Sequence, residues 1–424
     1  MSHYATGLDC SICKVGYGIE DHPYTCGNCG PAGTLDVAYD YQRIAANWSK
    51  QDLADSDKTG MWRYLPLLPV DVDAALPPLS VGGTPLYEAP RIGKTLGVTS
   101  VFVKDDGRQP TASLKDRASA MAVVKAAESE AEIVTTASTG NAAAALAGLS
   151  ASTGQRCVIF VPKSAPPAKV AQLLAFGATV VLVNGTYTDA FELATEAVDT
   201  FGWYNRNTGI NPYMTEGKKT ASLEIAEQLG WKVPDAVFVS VGDGSIIGGV
   251  HKGFSDLKRL GWTARIPRIF GVQASGSDYL VQAFEADEDV VTKPAITATT
   301  RADSISTDLP RDRVKAMRAV KSTNGAYVRV RDEQILDAIP ELARLSGVFA
   351  EPAGAACLAG AHVARDSGLI AADSSLALIV TGNGLKDVAA AMDSAAAIGS
   401  VPITIDPDIE ALKTALDEQG SHSQ

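Results

Sequence analysis

Short apolar runs alternate with alanine-rich stretches of helical length through most of the chain beyond residue 82. Runs of β-branched residues predict strands at 100–104, 132–136, 157–161, 179–183, 236–241, 268–272 and 376–380. The longer stretches predict helices at 115–127, 141–152, 167–176, 187–201, 217–229, 246–260, 333–346, 353–366 and 386–396. Strands separated by helices are typical of βαβ units, and apolar strands without alternation fit a sheet covered on both faces. The pattern predicts an α/β protein with mostly parallel sheets.

The first 40 residues depart from this pattern because they are rich in glycine and cysteine. Two CxxC pairs, Cys10 with Cys13 and Cys26 with Cys29, are separated by twelve residues. Thiolates at this spacing favour a tetrahedral zinc site, and such a site is structural because the protein supplies all four ligands. We therefore predict a zinc-ribbon-like segment over residues 1–40. An empty ribbon and a redox-active pair are the alternatives.

The composition is typical of a globular protein. Of 424 residues, 46% are hydrophobic, and 37 basic against 49 acidic side chains give a net charge of 37 − 49 = −12. An acidic chain without a basic stripe is a poor match for nucleic acid or an anionic membrane. No apolar run reaches the roughly 18 residues of a membrane span, and the N-terminal pattern predicts no signal peptide. We expect a cytoplasmic protein without nucleic-acid or membrane partners.

A lysine at the start of a predicted helix is the first candidate for catalysis. In the segment QPTASLKDR at 109–117, Ser113 is expected to be the N-cap, which places Lys115 in the first helical turn. The partial positive charge of a helix N-terminus lowers the pKa of an amine, as a nucleophilic lysine requires. From this motif alone, a surface lysine without a catalytic role is the alternative.

Three loops that follow predicted strands carry the other candidate residues. The STGN turn at 138–141 offers free backbone N–H groups and hydroxyls to a carboxylate or phosphate. The glycine-rich segment at 241–249 lets a phosphate approach the backbone at another helix start. The segment TGNGLKD at 381–387 follows the last predicted strand. Helix capping, a ligand-free helix entry and a plain turn are the respective alternatives.

Together, these four segments resemble those of the fold type II pyridoxal phosphate (PLP) enzymes, which share the tryptophan synthase β-like fold. Within that group the chain most resembles the threonine synthases, since PTASLKDR at 110–117 is similar to their PTGSFKDR. The segments ASTGN, TGNGLKD and NPYMTEGKKT at 211–220 are also similar to that family, as is the N-terminal cysteine ribbon. The resemblance covers nearly the whole chain.

The resemblance implies two α/β domains with PLP in the cleft between them. Residues 41–121 and 217–424 would form the large PLP-binding domain, behind the ribbon at 1–40. Residues 122–216 would form a small mobile domain that closes to exclude water. The resemblance also implies a homodimer that acts on a small amino-acid substrate.

The resemblance assigns roles to individual residues. Lys115 would carry the cofactor covalently and later move a proton, and Asn141 would bind the ring oxygen of the cofactor. Thr381 would face the pyridine nitrogen, where a hydroxyl favours elimination or replacement over transamination. The cofactor phosphate would lie on the loop formed by Gly242, Asp243, Gly244, Ser245 and Ile246. The substrate would bind at Ser138, Thr139, Gly140, Thr208 and Met214.

Several positions depart from the threonine synthase pattern where the substrate phosphate is expected. Met214 stands in place of an arginine that binds this phosphate, and Thr208 and Gly209 stand where asparagine and serine are usual. Asp243 replaces an asparagine and adds a negative charge. Losing one charge-assisted hydrogen bond lowers affinity by about 10- to 150-fold. The basic residues that we consider as replacements are Lys218, Lys219, Arg206 and Arg63.

Three functions therefore stay open. A threonine synthase would convert O-phosphohomoserine and water to threonine and phosphate. A threonine-synthase-like lyase would deaminate serine or threonine, or expel another leaving group, and Met214 and Asp243 favour such a substrate with a neutral or cationic distal end. The third function is a catalytically silent binding protein with the PLP fold, against which the presence of Lys115 argues.

Overall fold

The computed structural model describes residues 4–19, 21 and 24–422. Its strands are β1 (Ala5–Cys10), β2 (Gly16–Tyr17), β3 (Thr25–Cys26), β4 (Gly30–Tyr39), β5 (Leu86–Glu88), β6 (Ser100–Asp105), β7 (Ile133–Ala137), β8 (Arg156–Pro162), β9 (Thr179–Val183), β10 (Tyr204–Asn205), β11 (Ala236–Ser240), β12 (Arg268–Ala274), β13 (Tyr327–Val330) and β14 (Ser375–Val380). Its helices are α1 (Tyr41–Asn47), α2 (Lys50–Ala54), α3 (Pro90–Leu96), α4 (Lys115–Glu128), α5 (Asn141–Thr153), α6 (Pro167–Ala175), α7 (Tyr187–Phe201), α8 (Tyr213–Gln228), α9 (Ser245–Arg259), α10 (Tyr279–Glu285), α11 (Arg313–Lys321), α12 (Asp332–Ser346), α13 (Pro352–Asp366), α14 (Val388–Ala397) and α15 (Ile409–His422). Among these residues no helix combines the length and apolar character that crossing a membrane requires.

The predicted α/β class is confirmed, and the predicted strands and helices lie close to their expected bounds. Helix α4 begins at Lys115 as predicted, but its N-cap is Leu114, and Ser113 makes no capping hydrogen bond among the described residues. The predicted start of α8 was wrong. Helix α8 begins at Tyr213, four residues earlier than predicted, because Asn211 Oδ1 accepts a hydrogen bond from the Tyr213 backbone N–H (3.0 Å) and starts the helix.

Two mostly parallel sheets form the body of the protein. The larger has the strand order β13-β12-β11-β14-β6-β5, in which only the edge strand β5 runs antiparallel to its neighbour. The smaller has the order β10-β7-β8-β9 and is parallel throughout. All strands of the smaller sheet fall within 122–216, and the proposed domain limits stay a prediction.

The larger sheet is covered on both faces. Val237 and Val239 of β11 pack into the apolar cluster that contains residues of α8 and α9. Phe238, between them, packs into the cluster that contains residues of α13 and stacks on Phe270 with ring centroids 4.7 Å apart. Because both faces of such strands are buried, their sequences are apolar without alternation.

The N-terminal strands form a separate antiparallel sheet with the order β2-β1-β4-β3. Strand β4 joins this sheet to the body through polar contacts of its side chains. The Asp36 carboxylate pairs with Arg318 of α11 (2.6 Å), and the Tyr39 hydroxyl donates to Glu216 of α8 (2.6 Å). The ribbon therefore packs against the helices that lie next to the candidate site.

Candidate active site

A cavity of about 590 Å³ opens beyond the carboxyl ends of β7, β11 and β14, where ligands bind in parallel α/β sheets. The predicted site residues that line it are Lys115, Ser138, Thr139, Gly140, Asn141, Thr208, Gly242, Asp243, Gly244, Ile246 and Thr381. Ser245 and Met214 are not among the lining residues. Met214 is fully buried in the apolar core, so the structure does not bring it to the expected substrate position.

Lys115 is the first residue of α4 and lies on the wall of this cavity. The backbone N–H of Leu114, just before it, donates to the carbonyl of Thr381 (2.9 Å), which ties the lysine loop to the loop after β14. Within the part of the chain that the structure describes, Lys115 Nζ has no ion-pair partner. Burial lowers the pKa of Lys115, while the nearby Asp243 carboxylate opposes this effect. The result is an amine with raised nucleophilic character.

The STGN turn and the loop after β14 meet at a carboxylate that the sequence reasoning missed. Asn141 Nδ2 donates to Glu351 Oε1 (2.8 Å), and Glu351 lines the cavity. A Cβ at Gly382 would lie 2.4 Å from Glu351 Oε1, so only glycine admits this carboxylate. Burial raises the pKa of Glu351, and the Asn141 hydrogen bond opposes the rise. The signal in the sequence was the Glu-Pro pair at the start of α13, where Glu351 is the N-cap.

The glycine-rich loop before α9 has a backbone that only glycine adopts easily. Gly244 has φ +92°, and a Cβ there would lie 2.9 Å from the carbonyl oxygen of Asp312. A Cβ at Gly242 would lie 3.0 Å from the Cα atom of Ile305. Asp243 Oδ1 accepts from the Ser245 backbone N–H (3.0 Å). The loop thus brings backbone N–H groups and the start of a helix to the cavity, an arrangement suited to an anion.

Lys218 lies behind this loop and is completely buried. Its Nζ donates to Ser245 Oγ at 2.6 Å, and no carboxylate in the described ranges lies within ion-pair distance of it. Burial lowers the pKa of Lys218 to about 7, while Asp243 opposes the shift. A buried ammonium without a partner is unfavourable, so an anion bound on the other side of Ser245 would stabilise it.

Two arginines also line the cavity. Arg206 is completely buried, and Arg206 Nη1 donates to Thr208 Oγ1 (2.7 Å). Arg311 stacks on the ring of Phe191, with the guanidinium carbon 3.8 Å from the ring centroid. Arg311 occupies a segment without a motif, and sequence reasoning missed it.

The other two basic residues considered as replacements are already paired. Lys219 pairs with Asp256 (2.7 Å) and with Glu216 (2.5 Å), and Arg63 pairs with Glu227 (2.6 Å). Neither lines the cavity. Of the four candidates, only Arg206 reaches the cavity wall, while Lys218 lies behind the glycine loop.

The four N-terminal cysteines come together in the ribbon. The sulfur atoms of Cys10, Cys13, Cys26 and Cys29 all lie within 4.8 Å of one another, and Cys13 Sγ is 3.6 Å from Cys26 Sγ. A Cβ at Gly33 would lie 2.7 Å from the Cβ atoms of Cys26 and Cys29, so glycine is required for this packing. The cluster offers a complete set of four thiolate ligands.

Comparison with known proteins agrees with this geometry. The family described as pyridoxal-phosphate dependent enzyme matches residues 78–382. Threonine synthase of Methanocaldococcus jannaschii is 37% identical, covering 96% of this chain and 99% of that protein. Threonine synthase of Methanosarcina acetivorans is also 37% identical, covering 96% and 98%. The solved structure of the processed form of threonine deaminase isoform 2 from Solanum lycopersicum shares the fold, with a TM-score of 0.64 and 24% identity over 74% of this chain and 88% of that chain. The chain therefore belongs to the pyridoxal-phosphate dependent enzymes of fold type II, and it is a lyase that resembles the threonine synthases.

Proposed function

We propose that this lyase converts O-phosphohomoserine and water to threonine and inorganic phosphate. The observation that carries the proposal is the cavity that places the Lys115 amine together with two arginines, Arg206 and Arg311, which have no carboxylate partner among the described residues. Such a cavity suits a substrate that carries an anionic group at its distal end. The threonine synthases that the chain resembles over nearly their full length support the same reaction.

The residues of the cavity fit PLP. Lys115 supplies an amine that has no ion-pair partner among the described residues, for the covalent attachment. The loop at 242–246 supplies backbone N–H groups at the start of α9, and Gly242 and Gly244 allow its close approach to Ile305 and Asp312. We assign the cofactor phosphate to this loop, with Lys218 neutralising it through Ser245. Asn141 and Thr381 would contact the cofactor ring. When bound, PLP supplies an electron sink for the carbanion at the substrate α-carbon.

The residues of this chain would divide the remaining work. The STGN turn at the start of α5 would bind the substrate carboxylate with free backbone N–H groups and the hydroxyls of Ser138 and Thr139. The amine of Lys115, whose pKa is lowered by burial, would take up and return protons at the substrate carbons. In the net reaction the Cγ–O bond breaks and phosphate leaves with its electron pair. Cβ loses a proton and gains the hydroxyl of water, Cγ gains one proton, and the remaining proton goes to the phosphate.

The test is phosphate release from O-phosphohomoserine by the purified holoenzyme, with the amino-acid product identified by mass spectrometry. Equal amounts of phosphate and threonine are expected. Release of ammonia and a keto acid from serine or threonine, without phosphate release, would instead identify a lyase that acts on non-phosphorylated amino acids. That result would overturn the proposed substrate and leave the PLP chemistry in place.

We further propose that the cysteine cluster binds one structural zinc ion. A tetrahedral site with Zn–S bonds of about 2.3 Å requires sulfur–sulfur distances of about 3.8 Å, close to the 3.6 Å between Cys13 and Cys26. Replacing Cys10 and Cys13 by serine should remove the zinc found by elemental analysis and lower Tm. The kcat of the surviving protein should stay largely intact. Cys157→Ser, outside the cluster, should retain the zinc. Loss of turnover at unchanged fold and PLP content would contradict a purely structural role.

A homodimer in the cytoplasm stays part of the proposal. Light scattering after size-exclusion chromatography of the holoenzyme is expected to give the mass of two chains. The mass of a single chain would contradict the dimer.

A further inference from the structure

The cavity contains a buried guanidinium group that the fold itself does not satisfy. Arg206 is completely buried and directs Nε to Ser119 Oγ (3.1 Å) and Nη1 to Thr208 Oγ1 (2.7 Å). Its Nη2 atom has no hydrogen-bond partner among the described residues. Buried arginine groups are usually paired with carboxylates, because an unpaired charge inside a protein is strongly disfavoured. The free Nη2 of Arg206 therefore indicates an anion that arrives with a ligand.

A second guanidinium reaches the same cavity because of a glycine. Gly209 has φ +74°, and a Cβ at this position would lie 2.4 Å from the Cβ atom of Arg311. Glycine at 209 thus leaves room for the side chain of Arg311, which stacks on Phe191 and has no ion-pair partner in the described ranges. The glycine that stands in place of serine at position 209 therefore provides the space that Arg311 occupies.

Four carboxylates line the same cavity, and in the described ranges none of them lies within ion-pair distance of either arginine. Arg206 and Arg311 both interact electrostatically with Asp243 and with the hydroxyl of Tyr187. Asp303 also lines the cavity, but it is already paired with Lys169 (2.7 Å). Asp308 accepts a hydrogen bond from the Ala298 backbone N–H (2.7 Å), and Glu351 accepts one from Asn141 (2.8 Å). The two guanidinium groups are therefore left without a carboxylate partner among the described residues, and the two negative charges of a phosphate ester would match them.

We propose that Arg206 and Arg311 bind the distal phosphate of the substrate, in place of the arginine that position 214 lacks. This inference rests on the proposed function for the identity of the substrate. The arrangement separates the two anionic ends of the substrate: the carboxylate binds at the STGN turn, and the phosphate binds at the arginines. Specificity for a phosphorylated amino acid then depends on Arg311, for which Gly209 leaves room and which stacks on Phe191.

The test measures the binding of inorganic phosphate to the holoenzyme by calorimetry, in the wild type and in Arg311→Gln. Loss of one charge-assisted contact is expected to weaken phosphate binding by about 10- to 150-fold. Gly209→Ala, which displaces Arg311 without removing it, should weaken binding in the same direction. Arg301→Gln is the control, because Arg301 lies on the surface paired with Asp393 and should leave phosphate binding unchanged. An unchanged phosphate affinity in Arg311→Gln, with the PLP absorbance spectrum intact, would overturn the proposal.

Kinetics then separate this inference from the proposed function. If the wild type forms threonine, Arg311→Gln should raise the KM for O-phosphohomoserine and leave the affinity for homoserine, which lacks the phosphate, unchanged. An equal loss for both compounds would place the arginine at the carboxylate and refute the assignment. If the wild type forms no threonine but binds phosphate through Arg311, the proposed reaction fails and the anion site stands.

Discussion

Neighbouring cations on two helices of this protein have opposite surroundings. On α8, Lys218 and Lys219 are both completely buried, but Lys219 pairs with two carboxylates and Lys218 with none among the described residues. On α4, Arg117 is completely buried between Asp106 (2.7 Å) and Glu224 (2.6 Å), whereas Lys115, two residues earlier, faces the cavity without an ion-pair partner. Because neighbouring positions on a helix face different directions, one cation of each helix lies in an ion pair in the core and the other lies at the candidate site.

The difference separates charges that support the fold from charges that bind a ligand. The two charges of a buried ion pair neutralise each other without a ligand, and removing one partner leaves the other charge uncompensated. A buried cation without a partner destabilises the protein until an anion arrives. We therefore interpret Arg117 and Lys219 as residues that stabilise the fold. We interpret Lys115, Lys218 and Arg206 as residues that bind the cofactor and the substrate.

Loss of Lys115 should have the largest effect on function. Lys115→Ala removes the amine that attaches the cofactor, so turnover and the absorbance band of lysine-bound PLP should both disappear. The protein should stay folded, because Lys115 supports no ion pair within the described ranges. Absorbance spectroscopy and a phosphate-release assay check this, with the exposed Lys232→Ala as the control. A variant that kept both the band and the activity would refute the role of Lys115.

Loss of Arg117 should instead reduce stability. Arg117→Met leaves Asp106 buried without its ion-pair partner and leaves Glu224 with Lys104 alone, and the free energy of unfolding should fall by about 3–5 kcal/mol. Arg265→Met, which breaks the exposed pair with Asp235 (2.7 Å), should change it by less than about 1 kcal/mol. Urea unfolding of the three proteins measures both effects. Equal stabilities of Arg117→Met and the wild type would contradict a supporting role for the pair.

Lys218 should have a smaller effect, which is measurable as the change with pH in the free energy of unfolding of the apoenzyme. Its pKa is about 7 in the folded protein and about 10.4 in an unfolded chain, so between these values only the unfolded state holds the proton. The free energy of unfolding should therefore rise with pH in this window, by up to about 1.4 kcal/mol per pH unit from this group. In Lys218→Met the free energy of unfolding should rise less steeply with pH than in the wild type. If the two proteins had the same slope from pH 7 to pH 9, Lys218 would not be deprotonated in that range.

Much of the fold could be predicted from the sequence because its elements are long and strongly patterned. The bounds of α7 and β9 agree with the prediction, since a continuous apolar strand and a capped amphipathic helix are local signals. The short strand β13 was missed because its four residues carry too little pattern. The four loops of the site could be predicted because each directly follows a strand or opens a helix.

The rest of the site depends on tertiary contacts that one sequence does not display. Met214 was placed in the substrate pocket by its position in a motif, but the side chain points into the core of the body. Arg311 reaches the cavity only because Gly209, about a hundred positions earlier in the chain, has no side chain. Glu351 had a visible signal in its Glu-Pro pair, but nothing in the sequence connects it to Asn141.

The most direct test of the account compares Lys218→Met with Lys219→Met in the same apoenzyme, by PLP titration and urea unfolding. We predict that Lys218→Met weakens PLP binding by about 10- to 150-fold without lowering the stability of the apoenzyme. Lys219→Met should lower the free energy of unfolding by about 3–5 kcal/mol. If Lys218→Met bound PLP as tightly as the wild type, this result would contradict the claim that buried cations without an ion-pair partner bind the anionic groups of the ligands.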